Sequence, residues 1–335
     1  MGASSGTQAE ERYEYSQIIM GTQARIVLYA SDEENGREAA SAAFARMIAL
    51  DNMLTDWRAD SELMQLCAAA GGAPVPVSDD LFEVLERSLV FARESDGAFD
   101  ITLGPLTQLW RETREQGVLP APDRLKRARA RTGWRRIELL RDETTGSQRV
   151  RLKAGTRLDL GGIAKGYACD KALDTLRANG INSALVEIGG DLVVSEAPPD
   201  REGWRVSAGC DDSTSPKVIS LVNAAIATSG DTEQFVLIDG TRYSHILDPR
   251  TGLGLTHAHC VSIISKDATT ADALASAISV LSKSRGQELV TLFDGSDVSA
   301  PDVTEPGIKP HTWQKHLPLK INDYSARCAV LYLVR

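Results

Sequence analysis

The chain has 335 residues, 42% of them hydrophobic and 25% charged, enough to bury one large core or two modest ones. A net charge of -9 at pH 7 argues against duplex nucleic acid or an anionic membrane as the main partner, because both favour a basic surface. The basic run "RLKRARARTGWRR" at 124–136 reads as a solvated helix face, and no window approaches the ~20 apolar residues a membrane-spanning helix needs.

The opening "MGASSGTQAEERYEYSQ" is polar and has no apolar signal core. Either the protein stays inside the cell or an export segment has been trimmed. Five cysteines (Cys67, Cys169, Cys210, Cys260 and Cys328) are scattered without a CxxC pair, so neither a disulfide framework nor a zinc site is expected.

In chain order, "YEYSQIIMGTQARIVLYAS" alternates on both sides of Met20-Gly21-Thr22, which predicts two strands around a tight turn. The stretch "ENGREAASAAFARMIALDNMLTDW" carries Ala, Phe, Met and Leu at helical spacing, and "DLFEVLERSLVFARESDG" forms a second helix ending near Gly97. From about 148 the texture turns to strands: "QRVRLKAGTRLDLGG", "ALVEIGGDLVVS", "WRVSAGC", "KVISLVNAAIATSG", "QFVLIDG" and "HAHCVSIIS". Between the first two lies the helix "YACDKALDTLRANG", ended by Gly180.

The expected fold is α+β, a single unit with a mixed β-sheet and packed helices in one body or two lobes. Residues 1–12 read as a disordered or trimmed segment, 13–300 as the folded domain, and 301–335 as a Pro-rich loop followed by a closing strand, "ARCAVLYLVR".

Three Gly-rich corners invite a ligand. "LDLGGIAKGYACDKA" reads as strand, turn and helix, with Gly161 and Gly162 admitting a ligand to the backbone and Lys165 placed to meet an anion. It lacks the P-loop spacing and the following Ser or Thr, and a βα turn with an incidental lysine accounts for it as well. "EIGGD" at 187–191 and "ATSGD" at 227–231 are similar corners.

In "RYSHILDPRTG", Ser244, His245 and Asp248 suggest a triad. Neighbours on an extended segment face opposite ways, so that assignment is rejected. His245 alone can act as a general base, or be structural. His257 and His259 share a strand face but lack a third ligand, which makes a poor metal site. In "TTADALASAI", Thr269 or Thr270 is expected to cap a helix with Asp272 in its first turn, favoured there by the macrodipole.

Eight segments together resemble the ApbE family of FAD:protein FMN transferases, in the family's order from about Met20 to Leu281. They are "MGT" at 20, "DSEL" at 60, "GAFDITLGPLTQLW" at 97, "LDLGGIAKGYACD" at 158, "ALVEIGGDL" at 184, "ATSGD" at 227, "RYSHILDPRTG" at 242 and "TTADALASAI" at 269. The resemblance implies a reaction in which FAD is split at its pyrophosphate with Mg2+. FMN is then joined through its phosphate to a Thr or Ser of a target flavoprotein, and AMP is released.

It further implies that Asp272 and Ser276, one helical turn apart, hold Mg2+ together with the carbonyl of Ala164. Lys165 would lie against the pyrophosphate with Gly161 and Gly162, and His245 would take the proton of the acceptor hydroxyl. Trp57 would stack on the isoalloxazine, with Met20, Gly21, Asp100, Glu187, Gly190, Asp191 and Thr228 as further FAD-lining residues. The acceptor would belong to membrane electron transport and be reached outside the cytoplasmic membrane, which implies an exported protein, periplasmic or anchored in its precursor.

Three positions depart from the family pattern: Ser276 stands where Thr is commoner, Cys67 where Asn is commoner, and "TGLG" replaces Thr-Gly-x-Pro. The rival functions are hydrolysis of FAD to FMN and AMP, and a module that binds FAD without chemistry.

Overall fold

The computed structural model describes residues 9–208, 217–230, 234–257, 260–294 and 329–332. Strands β1 (Glu11–Ile19) and β2 (Thr22–Ala30) form a hairpin whose two-residue turn is Met20-Gly21. Both turn residues have positive φ, 54° and 72°, the geometry that matches the twist of the flanking strands. Helix α1 (Glu33–Leu54) follows, capped by Asp32, whose side chain accepts from Asn35 N–H. It ends three residues before Trp57, which therefore stands in a loop and not at a helix end.

Next come α2 (Glu62–Ala68), β3 (Val75–Pro76), α3 (Asp79–Glu94), α4 (Gly104–Gln116), α5 (Pro122–Arg129), β4 (Ile137–Arg141) and β5 (Gln148–Leu152). Strands β3, β5 and β4 make a small sheet of their own. The expected strand through "RLDLGG" stops at Leu152, and the chain from Lys153 to Ile163 runs as loop and turn into α6 (Ala164–Ala178).

The remaining elements are β6 (Ala184–Ile188), β7 (Asp191–Val194), β8 (Trp204–Ala208), β9 (Lys217–Leu221), β10 (Ala224–Gly230), β11 (Phe235–Ile238) and β12 (Thr241–Ser244). They are followed by β13 (Leu247–Asp248), β14 (Leu253–Gly254), β15 (Cys260–Ser265), α7 (Ala268–Val280), α8 (Lys283–Asp294) and β16 (Ala329–Tyr332). The principal sheet has the order β1-β2-β6-β7-β10-β15-β16.

The α+β class holds, with one correction. Every strand pairing among the described residues is antiparallel, so the sheet is not mixed. Tight hairpins such as β1–β2 and β6–β7 join neighbours directly, and a parallel pair would need a long crossover.

One face of the sheet carries the main core. Ile26, Leu28, Val186, Ile188 and Ile263 meet Met47 and Leu50 of α1, Tyr167 and Leu173 of α6 and Leu274 of α7, all buried. Alternate residues of the same strands, Val27, Leu185 and Ile226, face the other way onto Trp204 and Val206 of β8. Each fully buried side chain of this size contributes about 1.5–3 kcal/mol, so both faces matter to stability. A third cluster joins Trp110 and Leu106 of α4 to Leu247.

Cys67 and Cys169 are free thiols. Cys260 is disulfide-bonded.

Candidate active site

A cleft of about 450 Å³ opens between the β1–β2 turn, the end of α1 and the start of α6. Its walls include Met20, Gly21, Trp57, Gly161, Ala164 and Lys165, and these six positions that the sequence singled out are thereby brought together. Met20 N–H donates to Asp51 Oδ2 at 3.0 Å, tying the hairpin turn to α1.

Several of the singled-out residues meet at the start of α6. Asp159 folds the preceding loop by accepting Gly161 N–H at 2.9 Å. Gly162 is required next: a Cβ there would lie 2.8 Å from Ser276 Oγ on α7. Ile163, at the N-cap of α6, supplies no capping side chain. Asp272 of α7 does so from outside, its Oδ2 accepting Gly166 N–H at 3.1 Å.

This overturns the ordinary account of Asp272. The residue is buried, at 3% exposure, and sits beyond the first turn of its own helix. That helix is capped instead by Asp267, which accepts Thr270 N–H at 2.9 Å, and by Asp170, which accepts the N–H groups of Ala268 and Thr269. Thr269 and Thr270 are therefore not its caps.

Two buried carboxylates share one ammonium. Lys165 Nζ bonds Asp191 Oδ2 and lies 3.8 Å from Asp272 Oδ1. Burial pushes the Asp272 carboxyl up to about 7, with the charge of Asp191 adding and Lys165 opposing. Burial likewise raises Asp191, against the pull of Lys165. Burial alone would lower the Lys165 ammonium, but Asp191 and Asp272 more than reverse this and hold it raised.

The residues fit a magnesium ion. Asp272 Oδ1 is turned to Lys165, and Ser276 Oγ makes no hydrogen bond among the described residues, whereas Ser279 one turn away donates back to Ala275 carbonyl. With the Ala164 carbonyl this gives a carboxylate, a hydroxyl and a peptide oxygen, all hard donors suited to Mg2+. No group of three His, Cys, Asp or Glu that could hold a metal ion occurs among the described residues. His257 is exposed, and its supposed companion His259 lies outside the described residues.

Gly190 lies in the β6–β7 turn, at φ 92°, and delivers Asp191 to Lys165. Thr228 donates its N–H to Asp191 and pairs its hydroxyl with Ser262 Oγ at 2.7 Å. Glu187 is a different matter: it shares the sheet face of Leu185, away from α6 and α7, and forms an ion pair with its cross-strand neighbour Arg25 at 2.6 Å. Asp100 also stands outside the cleft wall, its carboxylate accepting the N–H and hydroxyl of Thr102 at 2.7 and 2.6 Å.

His245 follows β12. Its Nδ1 lies 3.2 Å from Gln234 carbonyl, and because a carbonyl only accepts, Nδ1 carries the proton and Nε2 is the nitrogen able to receive one. Ser244 is buried with Oγ accepting Ile246 N–H, and Asp248 is bound by Arg250, so the three residues form no triad.

Sequence reasoning missed Arg111. Its guanidinium makes a paired contact with Asp56 at 2.7 and 3.1 Å and lies 3.8 Å from the ring centroid of Trp57. Trp57 itself is 75% exposed at the cleft mouth, so this cation–π contact is what orients it. The adjacent Trp110 packs edge-on against Tyr243 and donates Nε1–H to Ser244 carbonyl at 3.2 Å. Successive residues of α4 thus hold the aromatic lip and the strand leading to His245. Only the arginine directly following "TQLW" hinted at this.

Of the departures, Cys67 is half-buried and its sulfur accepts Leu158 N–H at 3.2 Å. In "TGLG", a Cβ on Gly254 would come within 2.2 Å of Ser244 carbonyl and 2.7 Å of the Trp110 ring, so the loop here is closed against α4.

A helix start and a lysine on the wall of a cleft of about 450 Å³ are the features that suit a phosphate-bearing ligand. The ApbE family model matches residues 20–298, and the chain belongs to the ApbE family. It is 36% identical over 312 residues to the FAD:protein FMN transferase of Treponema pallidum (strain Nichols), an alignment covering 89% of this chain and 86% of that protein. A Klebsiella pneumoniae (strain 342) protein of the same description is 31% identical over 278 residues, covering 81% and 79%.

Among solved structures, the apo form of Pseudomonas stutzeri flavinyl transferase ApbE superposes with a TM-score of 0.74 at 31% identity, covering 86% of this chain and 90% of that one. The ApbE protein of Thermotoga maritima gives 0.73 at 33% identity, covering 84% and 91%.

Proposed function

We propose that this chain is a Mg2+-dependent FAD:protein FMN transferase, which splits FAD at its pyrophosphate and esterifies FMN to a Thr or Ser of a target flavoprotein, releasing AMP. Family membership supports the transferase activity. The observation that supports the chemistry is that α7 brings Asp272 to within 3.8 Å of Lys165, and Ser276 against Gly162, at the start of α6, whose Ala164 and Lys165 line the cleft.

Bound at Asp272, Ser276 and the Ala164 carbonyl, Mg2+ would supply Lewis-acid stabilisation of phosphate charge. The chain's own groups do the rest. His245 Nε2 accepts the proton of the acceptor hydroxyl. The freed oxygen forms a bond to the FMN-side phosphorus, the bond from that phosphorus to the bridging oxygen breaks, and AMP departs with that oxygen. Lys165 and the α6 N-terminus offset the charge that gathers on the leaving phosphate. Trp57, held by Arg111, offers a flat face to the isoalloxazine.

An acceptor in membrane electron transport, met outside the cytoplasmic membrane, is part of the same proposal and rests on the family resemblance. Among the described residues no helix is long and apolar enough to cross a membrane.

The test is FAD turnover with and without Mg2+, scoring AMP and covalent flavin on a Thr-containing acceptor domain. Mg2+-dependent AMP release with flavinylated acceptor is expected. AMP without flavinylation would replace transfer by hydrolysis, and bound FAD with no AMP would reduce the protein to a binding module.

A further inference from the structure

Lys165 lines the cleft, but its ammonium is held to one side. It reaches sideways between Asp191, which it bonds, and Asp272, whose Oδ1 is 3.8 Å away. The other oxygen of Asp272 is committed to Gly166 N–H. The oxygen left for a metal is therefore the one already facing a protein cation.

Both carboxylates are nearly solvent-free, at 2% and 3% exposure. In such surroundings a unit charge a few ångströms away is felt strongly. A divalent ion arriving at Asp272 Oδ1 and Ser276 Oγ must share the carboxylate with the ammonium or turn it away. Asp191 decides which, because among the described residues it is the carboxylate that keeps hold of Lys165 when Asp272 is taken.

We propose that Lys165 is the built-in competitor of the metal at Asp272, and that Asp191 is the positioning residue that draws the ammonium aside so that Mg2+ can bind. This rests on the assignment of Asp272 as a metal ligand. Lysine in this role limits cation affinity instead of adding to it, opposite to what a purely structural ion pair would do.

The test is Mn2+ binding to the full chain without FAD, read from the electron paramagnetic resonance signal of free Mn2+, with Mg2+ as competitor. Lys165→Met should tighten Mn2+ binding about tenfold or more, and Lys165→Arg, which keeps the charge, should stay within about threefold of wild type. Asp191→Asn, which leaves the ammonium to Asp272 alone, should weaken it.

Because Lys165→Met leaves Asp191 unpaired and could fail to fold, the Lys165→Met/Asp191→Asn double variant is compared with Asp191→Asn alone, and should bind Mn2+ more tightly. Unchanged or weaker binding in Lys165→Met, or in the double variant relative to Asp191→Asn, overturns the proposal. Asp272→Asn separates the two failures. If it leaves wild-type Mn2+ binding intact, the metal assignment falls and the competition with it; if it abolishes binding while loss of Lys165 tightens nothing, the competition alone falls.

Discussion

Asp272 on α7 accepts a hydrogen bond from the backbone N–H of Gly166 on α6, at 3.1 Å. The two helices can approach this closely because position 166 has no side chain: a Cβ there would stand 2.2 Å from Ala268 carbonyl and 2.9 Å from Asp272 Cβ. Helix crossing and site assembly are thus one event.

Gly166→Ala should therefore lose about 3 kcal/mol of stability, at the upper end of overpacking costs. A surface Gly→Ala change in a helix would instead be neutral or stabilising. Chemical denaturation of both proteins checks this, and an unchanged midpoint would contradict the close crossing.

Asp272→Ala removes both the external cap of α6 and a carboxylate from the proposed metal site. AMP release from FAD should fall by about 10²-fold or more, in line with the loss of one group that stabilises developing charge. The response to added Mg2+ should flatten. A variant that kept the wild-type Mg2+ titration would remove Asp272 from the site.

His245→Ala should leave FAD affinity within about twofold and reduce transfer by about 10²–10⁴-fold, the usual contribution of a positioned general base. Equilibrium binding and single-turnover flavinylation measured on one preparation separate the two effects. Equal losses in both would assign His245 to binding.

Arg111→Ala should free the Trp57 indole and weaken FAD binding by about fivefold, matching a cation–π contact of roughly 1 kcal/mol. Trp57→Ala should weaken it at least as much, and the double variant little further, because the two act through one surface. Additive losses would mean that Arg111 contacts the ligand independently.

Asp170 offers a stability test separate from activity. Burial pushes its carboxyl up to about 6, Asp267 adds to this, and hydrogen bonds from Thr269 and Ala268 oppose it. A folded-state value above the unfolded ~3.9 stabilises the fold below that unfolded value, and the stabilisation is lost as pH rises through about 6. The stability of wild type relative to Asp170→Asn should therefore be greatest near pH 4. It should decline by about 2 kcal/mol by pH 7. Denaturation of both proteins across that range reads the difference directly, and a flat difference would place the group at its ordinary value.

Much of the site was legible one segment at a time. The alternation around Met20-Gly21 specifies a hairpin, because two residues of positive φ close it tightly. The i, i+4 spacing of Asp272 and Ser276 puts two oxygen donors on one helix face, and Gly161-Gly162 before Lys165 marks a helix start without a cap of its own. These are short-range facts, set by backbone geometry and helical period.

What the sequence could not say is which element each face meets. Glu187 and Asp191 stand either side of one Gly-Gly turn, yet one is turned to Arg25 on the far face and the other to Lys165 among the helices. Which face the helices cover is decided by where α1, α6 and α7 bury their apolar sides. Arg111 and Trp57, 54 positions apart, meet only because Asp56 anchors the guanidinium across the cleft. The sequence by itself determined the donors and their local spacing, since these follow from bonded geometry. Tertiary structure decided which donors converge, since that depends on the packing of apolar surfaces distant in the chain.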